Sequence, residues 1–221
     1  MAEHPTYQVV LIPRLSENDS SLNALAQKFR EFRLHSLQAA PDAFASTYEA
    51  ESERGLEHSV ARLVNPKAAH TVQLLLECEW VGMVVLLGPE EGDEFSIPSA
   101  NIDPFKQMTA TAPSYWSTRL FESSSDPKDI HFHINGTFVS PSTRGSRLGG
   151  ALMDAALAYA DTEAIRVGGH LRITLSVYGH NVAARRLYEK AGFEVVKETD
   201  SRSKPGYLAV HMQLTRGVTA A

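Results

Sequence analysis

The feature that most constrains this chain is a strand that runs straight into a basic, glycine-bearing turn and then a helix. Phe138 to Pro141 (FVSP) reads as the strand end, Ser142 to Gly150 (STRGSRLGG) as the turn, and Ala151 to Ala160 (ALMDAALAYA) as the Ala-rich helix. A helix start leaves backbone N–H groups without intrahelical partners, and its dipole favours negative charge. With Arg144 and Arg147 beside those donors, the turn is a ready anion site, suited to phosphate. Glycine-rich turns before helices are common, so this half alone is a weak signal.

The second half is more specific. Leu175 to Phe193 (LSVYGHNVAARRLYEKAGF) predicts a strand, then a helix opened by Asn181 and carrying Tyr188. Together the two segments resemble motifs A and B of the GCN5-related acetyltransferases, the GNAT superfamily. The family's loop pattern is Arg/Gln-x-x-Gly-x-Gly/Ala, and its later signature is Asn-x-x-Ala followed by Tyr-Glu-Lys-x-Gly-Phe. Asn181, Ala184, Tyr188, Glu189, Lys190, Gly192 and Phe193 stand in that register. One position departs from it: the first loop glycine is replaced by Arg147. Glycine there lets backbone approach the pyrophosphate closely, whereas an arginine either crowds the phosphate or donates a charge-assisted bond to it. At the first turn of a helix this arginine is expected to need no positive φ.

Composition narrows the remaining classes. The 221 residues suit one large domain, 1–221, and 43% hydrophobic content supports a sizeable core. A net charge of −5 argues against nucleic acid or an anionic membrane as partner. One cysteine, Cys78, permits no internal disulfide and reads as a buried inert thiol. No basic-then-apolar leader and no apolar run of ~18 residues is visible, so a cytoplasmic setting is expected.

Periodicity orders the rest. Strands are predicted at Tyr7–Ile12, Thr71–Glu77, Trp80–Leu87, Asp129–Val139, Leu171–Val177, Glu194–Thr199 and Tyr207–Leu214. Helices are predicted from a Ser20/Ser21 cap to before Pro41, around Leu56–Leu63, over Leu148–Arg166 and over Asn181–Ala191. Residues 88–128 follow no period and read as an irregular insertion before the central strand, with Phe105, Tyr115, Trp116 and Phe121 to pack it down. The Asn135-Gly136 pair is a hairpin signal, but a continuous strand with a bulge is preferred, because the turn and helix after it need a strand of useful length. The expected fold is α/β: a GNAT-like mixed, mostly antiparallel central sheet, flanked by helices on both faces.

The resemblance implies an acetyl-CoA-dependent N-acetyltransferase acting on a primary amine of a small molecule or protein, by direct attack in a ternary complex. Acetyl-CoA is then a co-substrate, and no metal is needed. It implies that the pantetheine amides meet the backbone of Phe138 and Val139, and that the pyrophosphate sits on Arg144, Gly145, Ser146, Arg147, Leu148, Gly149 and Gly150. Asn181 would bind the pantetheine arm, and Arg185 or Arg186 would reach phosphate, with Arg186 the chosen candidate. Phe44, Thr47 and Tyr48 fall where the resemblance puts part of the acceptor pocket, with core packing the expected role for Phe44. Tyr188 is the expected general acid for the departing thiolate, since a phenol near pKa 10 stays protonated at neutral pH. For the base, period-two geometry puts His131, His133, Asn135 and Thr137 on one strand face. That layout resembles the arylalkylamine acetyltransferases, and aligning on Val139 retains one of their two histidines, His133. A structural role for that histidine stands equally open. So do two rival functions: a silent acyl-CoA-binding module, and an enzyme with another acyl donor.

Overall fold

The computed structural model describes residues 7–12, 20–65, 68–75, 79–91, 129–201 and 203–217. In chain order the elements are β1 (Tyr7–Leu11), α1 (Leu22–Ala39), α2 (Tyr48–Ser52), α3 (Leu56–Val64), β2 (Ala68–Leu75), β3 (Trp80–Glu91) and β4 (Asp129–Val139). They continue with α4 (Leu148–Val167), β5 (His170–Tyr178), α5 (Val182–Lys190), β6 (Glu194–Asp200) and β7 (Leu208–Gly217). Short 3-10 turns occupy Pro41–Ala43 and Pro141–Thr143. The strands form a seven-stranded sheet in the order β1-β2-β3-β4-β5-β7-β6. Pairs β1–β2, β5–β7 and β6–β7 are antiparallel, and the fold is the mixed, mostly antiparallel α/β class expected.

Two compact units divide the chain: Met1–Leu86 with Ile134–Leu157, and Leu87–His133 with Ala158–Ala221. In the first, α1 buries Leu22, Ala26, Phe29, Phe32 and Leu37 along one stripe, the spacing a 3.6-residue period requires. Phe32 sits edge-on to Trp80 (5.9 Å) and to Phe138 (5.7 Å), so α1 is locked on the strands by aromatic area. Truncating such a buried ring to alanine costs ~3–5 kcal/mol. Ser21 holds the N-cap position of α1 but makes no side-chain cap bond. The short helix α2 was not expected; Thr47 caps it by accepting from the Ala50 N–H at 3.2 Å.

The second unit is built on cross-strand pairs. Ile173, Leu175 and Val177 of β5 stand opposite Leu214, Met212 and Val210 of β7, and all six are buried. β6, at the end of the sheet order, is mostly exposed and its register shifts between Val195 and Lys197.

The central strand matches its expected bounds, and it is continuous through Asn135-Gly136 with Gly136 at φ +80. Several other strand bounds move: β2 starts three residues early at Ala68, β7 runs on to Gly217, and β3 has the clearest cause. β3 runs on through Gly88 to Glu91, because Gly88 lies against β4: a Cβ there would fall 2.6 Å from the His131 carbonyl oxygen. Glycine therefore marks close strand contact and not the end of the strand. The rest of the 88–128 insertion, with Phe105, Tyr115, Trp116 and Phe121, lies outside the described residues, as does Cys78.

Candidate active site

The candidate anion-binding turn is held in place by hydrogen bonds at the end of β4. At the end of β4 the Ser140 N–H donates to the Val81 carbonyl at 2.8 Å. The Thr143 N–H and hydroxyl both donate to the Ser140 carbonyl at 3.0 Å. Arg144 donates from Nε to the Val139 carbonyl at 3.2 Å, which pins its stem to the strand end. Gly145 then adopts φ +86, a turn open to glycine at no steric cost. Ser146 and Arg147 are exposed and Leu148 is buried. The first α4 hydrogen bond runs from the Ala151 N–H to the Arg147 carbonyl at 3.2 Å. The N–H groups of Leu148, Gly149 and Gly150 thus precede the intrahelical ladder, as the first-turn donors of any helix do.

Arg147 corrects one expectation. Its φ is +61, the one positive value on a non-glycine residue among the described residues. The position does demand the left-handed conformation, at a cost of roughly 1–2 kcal/mol for an L-residue with a Cβ. It is the cap residue ahead of the helix and not part of its first turn, which is why a helical φ does not apply.

Gly150 presents the opposite case. It lies inside the first turn of α4, and a Cβ built there meets nothing within 4 Å among the described residues. Nothing in that packing requires glycine, although glycine weakens a helix relative to alanine.

Phe138 and Val139 stand with this turn in the first unit, whereas Asn181, Arg186, Tyr188 and His133 belong to the second. Asn181 is the N-cap of α5, its side-chain oxygen accepting from the Ala184 N–H at 3.2 Å. That bond gives the Asn-x-x-Ala spacing its physical meaning. Tyr188 is buried, with its ring edge-on to Phe193 at 6.1 Å. The Tyr188 carbonyl accepts from the Ala191 and Phe193 N–H groups, both at 3.0 Å, so the Lys-Ala-Gly-Phe end of the signature is the helix stop. Arg186 is exposed. Its neighbour Arg185 instead lines an open cleft of about 460 Å³ with Gly179, His180, Gly206, Tyr207 and Leu208.

On β4, His131 Nε2 and His133 Nδ1 both lie 3.0 Å from the Thr174 hydroxyl. Both rings are buried, and they share the face that the period-two pattern predicts. Burial, with His131 and His211 adding like charge, pushes the His133 imidazole down to about 4. His133 is therefore neutral at physiological pH and weakly basic. Burial, and secondarily Lys197, also lowers His211, which contacts the Ser176 hydroxyl at 2.8 Å and the Thr199 hydroxyl at 2.9 Å. Thr174 had no signal in the sequence, since a lone threonine in an apolar strand is ordinary and its partners come from another strand.

Among the described residues no three His, Cys, Asp or Glu side chains group to hold a metal ion, and no helix is long and apolar enough to cross a membrane.

Comparison with known proteins agrees on one fold. The model of the acetyltransferase (GNAT) family matches residues 36–193. No curated protein matches the chain. NAA60 of Arabidopsis thaliana, solved in complex with acetyl-CoA, is 15% identical with a TM-score of 0.57, over 95% of this chain and 98% of that one. Its complex with a bisubstrate analogue gives 15% and 0.56, over 95% and 99%. The putative acetyltransferase yncA of Salmonella typhimurium, solved with its cofactor acetyl-CoA, gives 16% and 0.51, over 98% and 97%. At these identities the likeness is one of fold.

Proposed function

The chain belongs to the acetyltransferase (GNAT) family, and from that premise we propose that it is an acetyl-CoA-dependent N-acetyltransferase, one acyltransferase domain over 1–221. Its acceptor is a primary amine, and transfer is direct, within a ternary complex. The observation that carries this reading is the turn from Arg144 to Gly150. It offers first-turn N–H donors, two exposed arginines and a helix glycine that the described packing does not explain. A pyrophosphate laid across those N–H groups explains all three. The backbone of Phe138 and Val139 would take the pantetheine amides, and the Asn181 amide would donate to the arm while its oxygen caps α5. Arg186, exposed on α5, would be the phosphate partner on that helix.

The chemistry then runs without a metal. The neutral amine nitrogen attacks the thioester carbonyl carbon, the C–N bond forms, and the C–S bond breaks. Tyr188 gives its phenolic proton to the leaving thiolate and recovers one from solvent. The proton lost by the amine passes to water, or through water to His133. With a pKa about 4, that imidazole accepts only transiently, so the acceptor has to arrive largely neutral.

A silent acyl-CoA-binding module is the second reading, and the strained Arg147 at the family's glycine position is what favours it. Calorimetry with acetyl-CoA and thiol release with a panel of amines separate the two. The transferase gives a Kd of micromolar order, about −8 kcal/mol, together with amine-dependent thiol release. A silent module gives binding alone, and no binding at millimolar acetyl-CoA removes both.

A further inference from the structure

Ser176 on β5 carries a hydroxyl that the proposed transfer does not use. Leu175 and Val177 of β5, with Val210 and Met212 of β7, are buried. By the period of two, Ser176 and His211 therefore point to the opposite face of the sheet. These two are direct cross-strand partners, and Lys197 of β6 is in turn the partner of His211. Ser176, His211 and Lys197 thus form one row across three strands, spaced for side-chain contact. Thr199 stands two residues beyond Lys197 on β6 and shares that face. All four belong to the second unit.

The row has the parts of an activated nucleophile. His211 Nδ1 lies 2.8 Å from the Ser176 hydroxyl, and Nε2 lies 2.9 Å from the Thr199 hydroxyl. With its proton on Nε2, the ring donates to Thr199 and accepts from Ser176. Nδ1 then meets the proton that a nucleophilic serine has to lose, and a third group holds the base in place. Burial, and secondarily the Lys197 charge, lowers the His211 imidazole below its ordinary value, so it is an unprotonated base at neutral pH. His133, tied to this face through Thr174, is neutral as well. Ser176 and Lys197 are exposed, so an acyl donor reaches Oγ from solvent. Other serine hydroxyls are engaged differently. Ser36 and Ser52 donate to backbone carbonyls at 2.7 and 2.9 Å, and Ser201 and Ser203 bond each other at 3.1 Å. Of these serines, Ser176 alone has a base at its oxygen.

We infer that Ser176 is an acyl-acceptor site, whose Oγ takes an acyl group from an activated ester or thioester with His211 as general base. The Oγ lone pair forms a C–O bond to the acyl carbon. The bond from that carbon to sulfur or to the aryloxy oxygen breaks, and its electron pair leaves with the thiolate or phenolate. The Ser176 proton passes to His211 Nδ1 and from there to the leaving group, so the step needs no oxidant and no metal. Lys197, next in the row, is the positive charge that the oxyanion would meet. Thr199 is a positioning residue, holding the imidazole in the tautomer that accepts from serine. The product is an O-acylserine on an open sheet face. This site shares no residue with the turn from Arg144 to Gly150, and it does not rest on the transferase reading.

The test incubates the full chain with p-nitrophenyl acetate in one arm and acetyl-CoA in the other. Reactions are quenched in acid to keep the serine ester, and acetyl groups are located by peptide mass spectrometry. Ser176 is expected to gain one acetyl group, at a rate that His211→Gln lowers by about 10²–10⁴-fold, the usual size of general-base assistance. Ser176→Ala should lose that group. Thr199→Val should slow its formation and Thr199→Ser restore it. Every variant is assayed below its own unfolding transition, and the urea-unfolded wild-type chain supplies the reference rate. Acetyl on Ser176 in the ester arm alone makes activated esters the donors, and acetyl in both arms adds thioesters. Ser176 unmodified in both arms overturns the site. So does modification that is equally fast in His211→Gln, or no faster than in the unfolded chain. Amine-dependent thiol release is measured separately, so a chain without transferase activity still decides the question.

Discussion

His133 Nδ1 lies 3.0 Å from the Thr174 hydroxyl, and that hydroxyl also takes His131 Nε2 at 3.0 Å. One small side chain on β5 therefore holds two buried imidazoles of β4. A threonine hydroxyl has a single proton, so at least one of the two rings must donate to it.

That burial has a consequence for stability. The folded pKa of His133 is about 4 against an ordinary value of 6.5. Between those values the unfolded chain binds the extra proton, so stability is full above pH 6.5 and declines as pH falls toward 4. The loss is of order ~3 kcal/mol by pH 4. Urea unfolding at several pH values should show this slope, and His133→Asn should flatten it.

Tyr188→Phe keeps the ring that packs on Phe193 and removes the acidic proton. We expect kcat to fall by ~10²–10⁴ with acetyl-CoA affinity nearly unchanged. A thioester with a better leaving group should recover part of the loss. If neither change moves the rate, Tyr188 is not the acid.

Arg147→Gly separates strain from binding. Because Arg147 already has φ +61, glycine should raise stability by about 1 kcal/mol. Losing a charge-assisted bond to phosphate should weaken acetyl-CoA by ~1.5–3 kcal/mol. Tighter binding by the glycine variant would show the side chain to be an obstruction.

Gly150→Ala should follow the same division without touching charge. Alanine favours the helix by roughly 0.5–1 kcal/mol, and a Cβ meets no described neighbour within 4 Å. A melting temperature that rises while acetyl-CoA affinity falls supports the pyrophosphate lying on this turn. Unchanged affinity would place the ligand elsewhere.

Asn181→Asp keeps an oxygen to accept from the Ala184 N–H, so the cap and stability should hold. The amide donor is lost, and acetyl-CoA should bind more weakly. Asn181→Ala should lose both, with ~1 kcal/mol of stability gone. Equal acetyl-CoA affinity in Asn181→Asp and wild type would assign this residue to capping alone.

The local order of the chain is legible in its sequence because the causes of that order are local. The α1 stripe from Leu22 to Leu37, the bounds of β4, the helix from Leu148 and the Asn181 cap depend on neighbours within a turn or two. Side-chain periodicity and cap chemistry act over that range and are written in the sequence.

Tertiary structure decided the rest. Gly88 reads as the end of a strand, and only the approach of β4 explains why the strand continues through it. Thr174 reads as any β-strand threonine, yet two histidines meet on its hydroxyl. Arg147 reads as a helical residue in sequence, while the route from β4 into α4 requires it at φ +61. Arg33 is one arginine among several on the early helices, and only its placement between Phe44 and Gly136 buries its Nε and Nη1 atoms without a hydrogen bond. Each of these depends on segments far apart in the chain, whose meeting is set by packing and desolvation and not by any local pattern.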